Sequence, residues 1–225
     1  IMSIIAIIPA RGGSQAIKNK NLVKINGKKL IQYTIEAAKK SKKIDKVIVT
    51  SDSEKIIKFS NKLNVYSIKR PKNISRSNSK TFDAVKHALN ILKRKNNYKP
   101  KYVVILQPTS PLRKFFHIDK ALNKLIKNKE ADGLVSCVNV PHNFTPEKLM
   151  IRNKKGFLTF KKKIIRRQET KSYLARNGAA IYIFNYDKVK SNLFGKNTIP
   201  FLMDKISSFD IDDHEDLNII KKLIK

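Results

Sequence analysis

Short apolar runs rich in β-branched residues alternate along this chain with stretches of helical period. Residues 3–8, 45–50, 64–68, 102–106 and 133–138 carry the strand pattern. Between them, residues 29–40 place Leu30, Tyr33, Thr34 and Ala37 on one helical stripe. A second helix starts at Ser53, and residues 81–92 bring Val85, Ala88, Leu89 and Leu92 into phase. Residues 118–126 read as a further helix. Strands that are apolar on both faces, separated by helices, predict an α/β fold with a mostly parallel sheet covered on both sides. The run YVVIL at 102–106 is the most apolar and is expected at the centre of the sheet.

The rhythm breaks at residues 140–175. That stretch holds two prolines, the turn sequence RNKKG and short strand-like pieces without a helical period. It reads as an antiparallel insert or arm on a single domain covering residues 1–225. Residues 179–184 return to the core sheet, residues 206–211 predict a late strand, and residues 215–224 a closing helix.

Composition narrows this picture. A hydrophobic fraction of 41% over 225 residues supports a full core. The 49 Lys+Arg against 17 Asp+Glu leave a net charge of +32, which favours anionic ligands. The lysines are spread over nearly every segment, as solvated helix faces would be, and no basic arm for nucleic acid stands out. The single cysteine, Cys137, excludes an intrachain disulfide and a cysteine metal cluster. No apolar run is long enough for a signal sequence or a membrane span, so a cytoplasmic location is expected.

Ligands of open α/β sheets bind beyond the carboxyl ends of the strands. Polar clusters follow apolar strands here at residues 10–21, 50–54, 107–113 and 210–213. In the first, Gly12 and Gly13 let backbone N–H groups approach a phosphate, and Arg11, Ser14, Lys18 and Lys20 add donors. It is neither a dinucleotide fingerprint nor a Walker-type loop. In FDIDD, period-two alternation puts Asp210 and Asp212 on one face and Ile211 in the core. Two hard oxygen donors suit Mg²⁺, whereas Asp213 and Asp216 have the spacing of a helix capping box. In LQPTSPLR, two prolines stiffen a loop that offers Gln107, Thr109 and Ser110 to a polyhydroxylated ligand. Arg176 and Asn177 lead into a strand beside Gly178. His87, His117 and His142 stand at no metal-ligand spacing and are expected at the surface, and His214 at a helix start.

Together, IIPARGGSQAIKNKN, LQPTSPLR, RRQ…RNGAAIYIF and FDIDDHEDL resemble the acylneuraminate cytidylyltransferases, in order and spacing, along nearly the whole chain. The resemblance implies a Rossmann-like nucleotidyltransferase fold, a homodimer, Mg²⁺ dependence, and transfer from CTP to a 2-keto sugar acid. It matches Arg11 and Asn21 to CTP-binding positions, with Gly12, Gly13, Ser14 and Gln15 in the same nucleotide loop. Arg70 and Ser79, with Thr81, match positions that hold the cytidine. Gln107 matches a sugar-contacting glutamine, Arg176 a catalytic arginine, and Asp210 and Asp212 the metal carboxylates. The chain departs from the family at Gln15, usually Lys, at Ala16, usually Gly, and in NSKT at residues 78–81. If the arm crosses to a second subunit, Lys148 or Arg167 would reach the partner's anionic ligand, and the site would be shared. A synthetase for 3-deoxy-manno-octulosonate, a sugar-1-phosphate nucleotidyltransferase and a basic nucleic-acid-binding module are the alternatives.

Overall fold

The computed structural model describes residues 2–76, 78–160, 172–178, 180–189 and 193–224. Strand β1 (Ile4–Pro9) leads into a long loop and a small hairpin, β2 (Lys24–Ile25) and β3 (Lys28–Lys29). Asn26 and Gly27 turn that hairpin with φ of 44° and 83°, the left-handed pair a two-residue turn requires. Helix α1 (Leu30–Lys40), strand β4 (Lys46–Ser51), helix α2 (Glu54–Lys62) and strand β5 (Tyr66–Lys69) follow. Then come α3 (Thr81–Asn96), β6 (Tyr102–Ile105), α4 (Phe115–Lys127) and β7 (Gly133–Asn139). The arm forms a hairpin of β8 (Met150–Arg152) and β9 (Leu158–Phe160). The chain closes with β10 (Leu174–Arg176), β11 (Tyr182–Asn185), β12 (Thr198–Leu202) and α5 (His214–Leu223).

The main sheet runs β10-β7-β11-β6-β1-β4-β5, with β12 also on β7. β1, β4, β5 and β6 pair in parallel, and β12 runs parallel to β7. The returning strand is inserted antiparallel: β11 lies between β6 and β7, opposed to both. Alternation along β1 feeds two cores. Ile4, Ala6 and Ile8 pack with α1, α2 and α4, while Ile5 and Ile7 pack with α3. A third cluster joins Ile17 and Ile25 of the opening segment to Ile211, Leu217 and Ile220, fixing α5 under the loop that follows β1. Each such buried Ile or Leu contributes roughly 1.5–3 kcal/mol.

Two expectations need correction. Residues 206–211 are not a strand; the late strand is β12, an edge strand that tolerates Pro200 because, among the described residues, only one side is paired. His117 is buried rather than superficial, because its Nδ1 accepts the Lys114 N–H at 3.1 Å and closes the first turn of α4. No helix among the described residues is long and apolar enough to cross a membrane.

Candidate active site

Four strand ends meet at one rim of the sheet. After β1, the loop is held by its own side chains. Asn21 is buried and its amide donates to the Arg11 carbonyl at 2.9 Å. The Gly12 N–H donates to Asp52 Oδ1 at 2.9 Å. A Cβ on Gly12 would come within 2.8 Å of Ser53 Cβ, so the turn after β4 demands glycine there. Lys20 reaches across the rim and donates to the carbonyls of Ile211 at 2.7 Å and Asp212 at 3.0 Å.

After β5, Arg70 turns inward and is buried. Its Nη2 lies 3.7 Å from Asp52 Oδ1, and among the described residues neither Nε nor Nη2 has a hydrogen-bond partner. Burial pushes its pKa down from the ordinary arginine value, and the Asp52 charge opposes that.

After β6, the Thr109 carbonyl accepts the Ile211 N–H at 2.9 Å, docking the FDIDD segment on the LQPTSPLR loop. Ile211 is fully buried, and Asp210 and Asp212 both face the cavity. The alternation read from the sequence therefore holds without a strand, because extended backbone alone alternates its side chains. The Ser110 hydroxyl, also fully buried, donates to Asp210 Oδ1 at 2.8 Å. Its place is behind the carboxylate rather than in the cavity. Burial raises the Asp210 pKa, and the Asp212 charge adds to the rise while Ser110 and Lys20 oppose it.

The β10–β11 connection supplies the opposite wall. β10 ends at Arg176, opposite Cys137, and β11 begins at Tyr182, opposite Val135. Just after β10, Asn177 is held from two sides: its amide oxygen accepts from Ser136 at 2.6 Å and its nitrogen donates to Ser208 at 2.9 Å. Beside it, Gly178 (φ 62°) packs directly on the Asp210 carboxyl. Arg113, 1% exposed, donates through Nη1 to the carbonyls of Gln107 at 3.2 Å and Ala180 at 2.9 Å. It ties the LQPTSPLR loop to Ala180, just ahead of β11, and burial lowers its pKa to about 9 against the pull of Asp210.

Two adjoining cavities result. The first, about 280 Å³, is lined by Arg11, Ser14, Asn21, Arg70, Ser79 and Thr109, with Asp210 and Asp212 on one side. The second, about 410 Å³, is lined by Arg176, Gly178, Tyr182, Leu193 and Phe194. Lys80, Thr81 and Gln107 border both. Arg176 sits between Tyr182, whose hydroxyl is 3.4 Å from Nη1, and the Phe194 ring at 5.7 Å.

Most of the residues read from the sequence thus converge on one rim. Gly12, Gly13 and Gln15 do not line either cavity, and Gln15 and Lys18 are exposed. Lys148 is exposed on the arm, away from both cavities, and Arg167 lies outside the described residues. The sequence reading missed Arg76 and Lys80 in the first cavity, and Tyr182 and Phe194 in the second. Tyr182 sits in an apolar strand, where core packing is the ordinary reading, and Phe194 lies between β11 and β12 in a stretch with no motif.

The cytidylyltransferase family profile matches residues 5–224. The N-acylneuraminate cytidylyltransferase of Escherichia coli is 34% identical over 221 residues, which are 96% of this chain and 51% of that protein. This chain therefore spans about half the length of that relative. The CMP-N,N'-diacetyllegionaminic acid synthase of Campylobacter jejuni is 31% identical over 98% of this chain and 94% of its own length. Among solved structures, a CMP:2-keto-3-deoxy-manno-octonic acid synthetase complexed with CTP superposes with a TM-score of 0.71. It covers 99% of this chain and 98% of its own at 16% identity, a likeness of fold. With the profile spanning almost every residue, the chain belongs to the cytidylyltransferase family.

Proposed function

We propose that this chain transfers the cytidylyl group of CTP to the anomeric hydroxyl of a sialic-type, nine-carbon 2-keto sugar acid. The observation that carries this reading is the pair of adjoining cavities. One is lined by cations and two carboxylates, and in the other Arg176 lies beside the Tyr182 hydroxyl and the Phe194 ring. CTP occupies the first, its phosphates toward Arg11 and Ser14 and its base toward Arg70, which lines that cavity. The sugar acid occupies the second, with Gln107 on its hydroxyls and Arg176 on its carboxylate.

Asp210 and Asp212 fit a divalent cation. Both are hard oxygen donors on one cavity, and a Cβ at Gly178 would fill the space at the Asp210 carboxyl. Two protein carboxylates leave room for phosphate oxygens and water, the set Mg²⁺ favours. Bound there, Mg²⁺ supplies positive charge to the triphosphate oxygens. The chain's own groups do the rest. Ser110 and Gly178 fix Asp210, Lys20 holds the carboxylate segment against the loop, and Arg11 retains the leaving phosphates. The sugar hydroxyl attacks the α-phosphorus, a new O–P bond forms, and the bond to pyrophosphate breaks. Pyrophosphate leaves with the electron pair, and the hydroxyl proton passes to solvent.

We also infer a homodimer with a shared site. Its support is the arm, where Met150, Phe157 and Phe160 of the small hairpin, and Phe144 ahead of it, are each more than half exposed.

The test is pyrophosphate release from CTP with a panel of N-acetylneuraminate, legionaminate, pseudaminate, 3-deoxy-manno-octulosonate and sugar 1-phosphates. Turnover with a nine-carbon acid, abolished by chelator, is expected. Turnover confined to the eight-carbon acid or to a sugar phosphate overturns the substrate assignment.

A further inference from the structure

The two cavities are separate spaces with a common border, and that border is short. Among the described residues, only Lys80, Thr81 and Gln107 line both. Each other described cation at the site belongs to one side. Arg11, Lys20, Arg70 and Arg76 line the first cavity, and Arg176 lines the second. A reaction that joins a phosphorus atom held in one cavity to an oxygen held in the other takes place at the border. Among the described residues, the border's single charged side chain is Lys80.

Three further observations suit Lys80 to that position. It is exposed, so its ammonium has the freedom to approach a ligand. Among the described residues it has no carboxylate partner to give up. It precedes the first turn of α3, a 16-residue helix without a side-chain cap, so the positive end of the helix dipole reinforces it there.

We propose that Lys80 is a catalytic residue, its ammonium paired with a non-bridging oxygen of the α-phosphate as the sugar hydroxyl attacks. This rests on the reading that CTP and a keto sugar acid fill the two cavities. The lysine stays protonated throughout. It takes no proton from the hydroxyl, and its charge offsets the negative charge that gathers on the α-phosphoryl oxygens between attack and departure of pyrophosphate. The ground-state triphosphate is held mainly by the cations of the first cavity. Lys80 therefore acts on kcat more than on nucleotide affinity.

Lys80→Met keeps the length of the stem and removes the charge; Lys80→Arg keeps the charge. Pyrophosphate release with the best acid of the panel gives kcat and KM, and calorimetry with CTP alone gives nucleotide affinity. Lys80→Met should lower kcat about 10²-fold, the scale seen when one oxyanion donor is removed. CTP affinity should change by less than about threefold, and Lys80→Arg should recover most of the rate. A Lys80→Met enzyme with kcat within twofold of wild type overturns the assignment. So does a variant that loses CTP affinity in proportion to its rate, since that is ground-state binding. Wild-type protein inert with every acid of the panel overturns the functional reading itself, and this assignment with it.

Discussion

A methyl group at Gly178 would lie 2.5 Å from the Asp210 carboxyl carbon, and the backbone there is left-handed at φ 62°. Gly178→Ala should therefore lose stability by about 1–2 kcal/mol from backbone strain. It should also push Asp210 off the Ser110 hydroxyl, and a misplacement of about 1 Å at a reacting centre costs on the order of 10²-fold in rate. Thermal unfolding and pyrophosphate release measure the two effects; wild-type kcat in a folded variant would show that Asp210 need not be held. At this scale the sequence was legible where residue type and spacing coincide with chemistry. Asp210 and Asp212 stood out by alternation alone, although the strand invoked for them is absent. Ser110 has the right composition for a ligand contact, yet its hydroxyl serves the carboxylate behind the wall. Lys80 carries no signal in a chain with 49 Lys+Arg, since its position on the cavity border is a property of the folded rim. Gln15, where the family usually has lysine, is exposed and lines neither cavity, while Lys20 and Arg76 line the first.

Among elements, helices and parallel strands were the readable part, because their periods follow from burial. α3 runs four residues past the helix expected at 81–92, to Asn96. What escaped was decided by tertiary contact. β12 contains a proline and tolerates it only as an edge strand, and the place of Asn177 after β10 depends on Ser136 and Ser208 reaching it. His117 belongs to the same class. Its buried Nδ1 must be unprotonated to accept the Lys114 N–H, and burial lowers its pKa from 6.5. The unfolded chain therefore protonates this histidine first. Stability is unaffected by it well above pH 6.5, and falls as the pH drops from 6.5 toward the lower folded value. The slope is at most about 1.4 kcal/mol per pH unit. Gln at this third helical position keeps an acceptor for the same N–H and does not titrate. His117→Gln should flatten that part of the stability profile in urea titrations between pH 7 and about pH 5. An unchanged profile would mean that other groups account for it.

For the whole molecule, the unexplained surface is the arm. Phe157 is 65% exposed and Leu158 60%, on a hairpin of two short strands that pairs with no other strand of the described residues, and Phe144, 68% exposed, lies in the segment that leads to it. A two-stranded hairpin is marginal in water by itself. A contiguous apolar face of this kind needs a cover, and a second copy of the chain offers one under two-fold symmetry. The sequence disclosed the arm through its broken rhythm, but a single chain has no way to display what the arm rests on. In a shared-site dimer, the arm of one subunit completes the cavity of its partner. Asp212→Asn disables a subunit's own cavity, and Lys148→Ala disables its contribution across the interface. Each variant alone should be inactive. Mixed in equal amounts and allowed to exchange, half the dimers pair one of each and carry one intact site. Activity should then return to about one quarter of the wild-type level. Light scattering on the same samples should report dimers at micromolar concentration. Recovery absent from an exchanged mixture, or full activity in a monomer, would leave each subunit with a complete site of its own and the arm with another role.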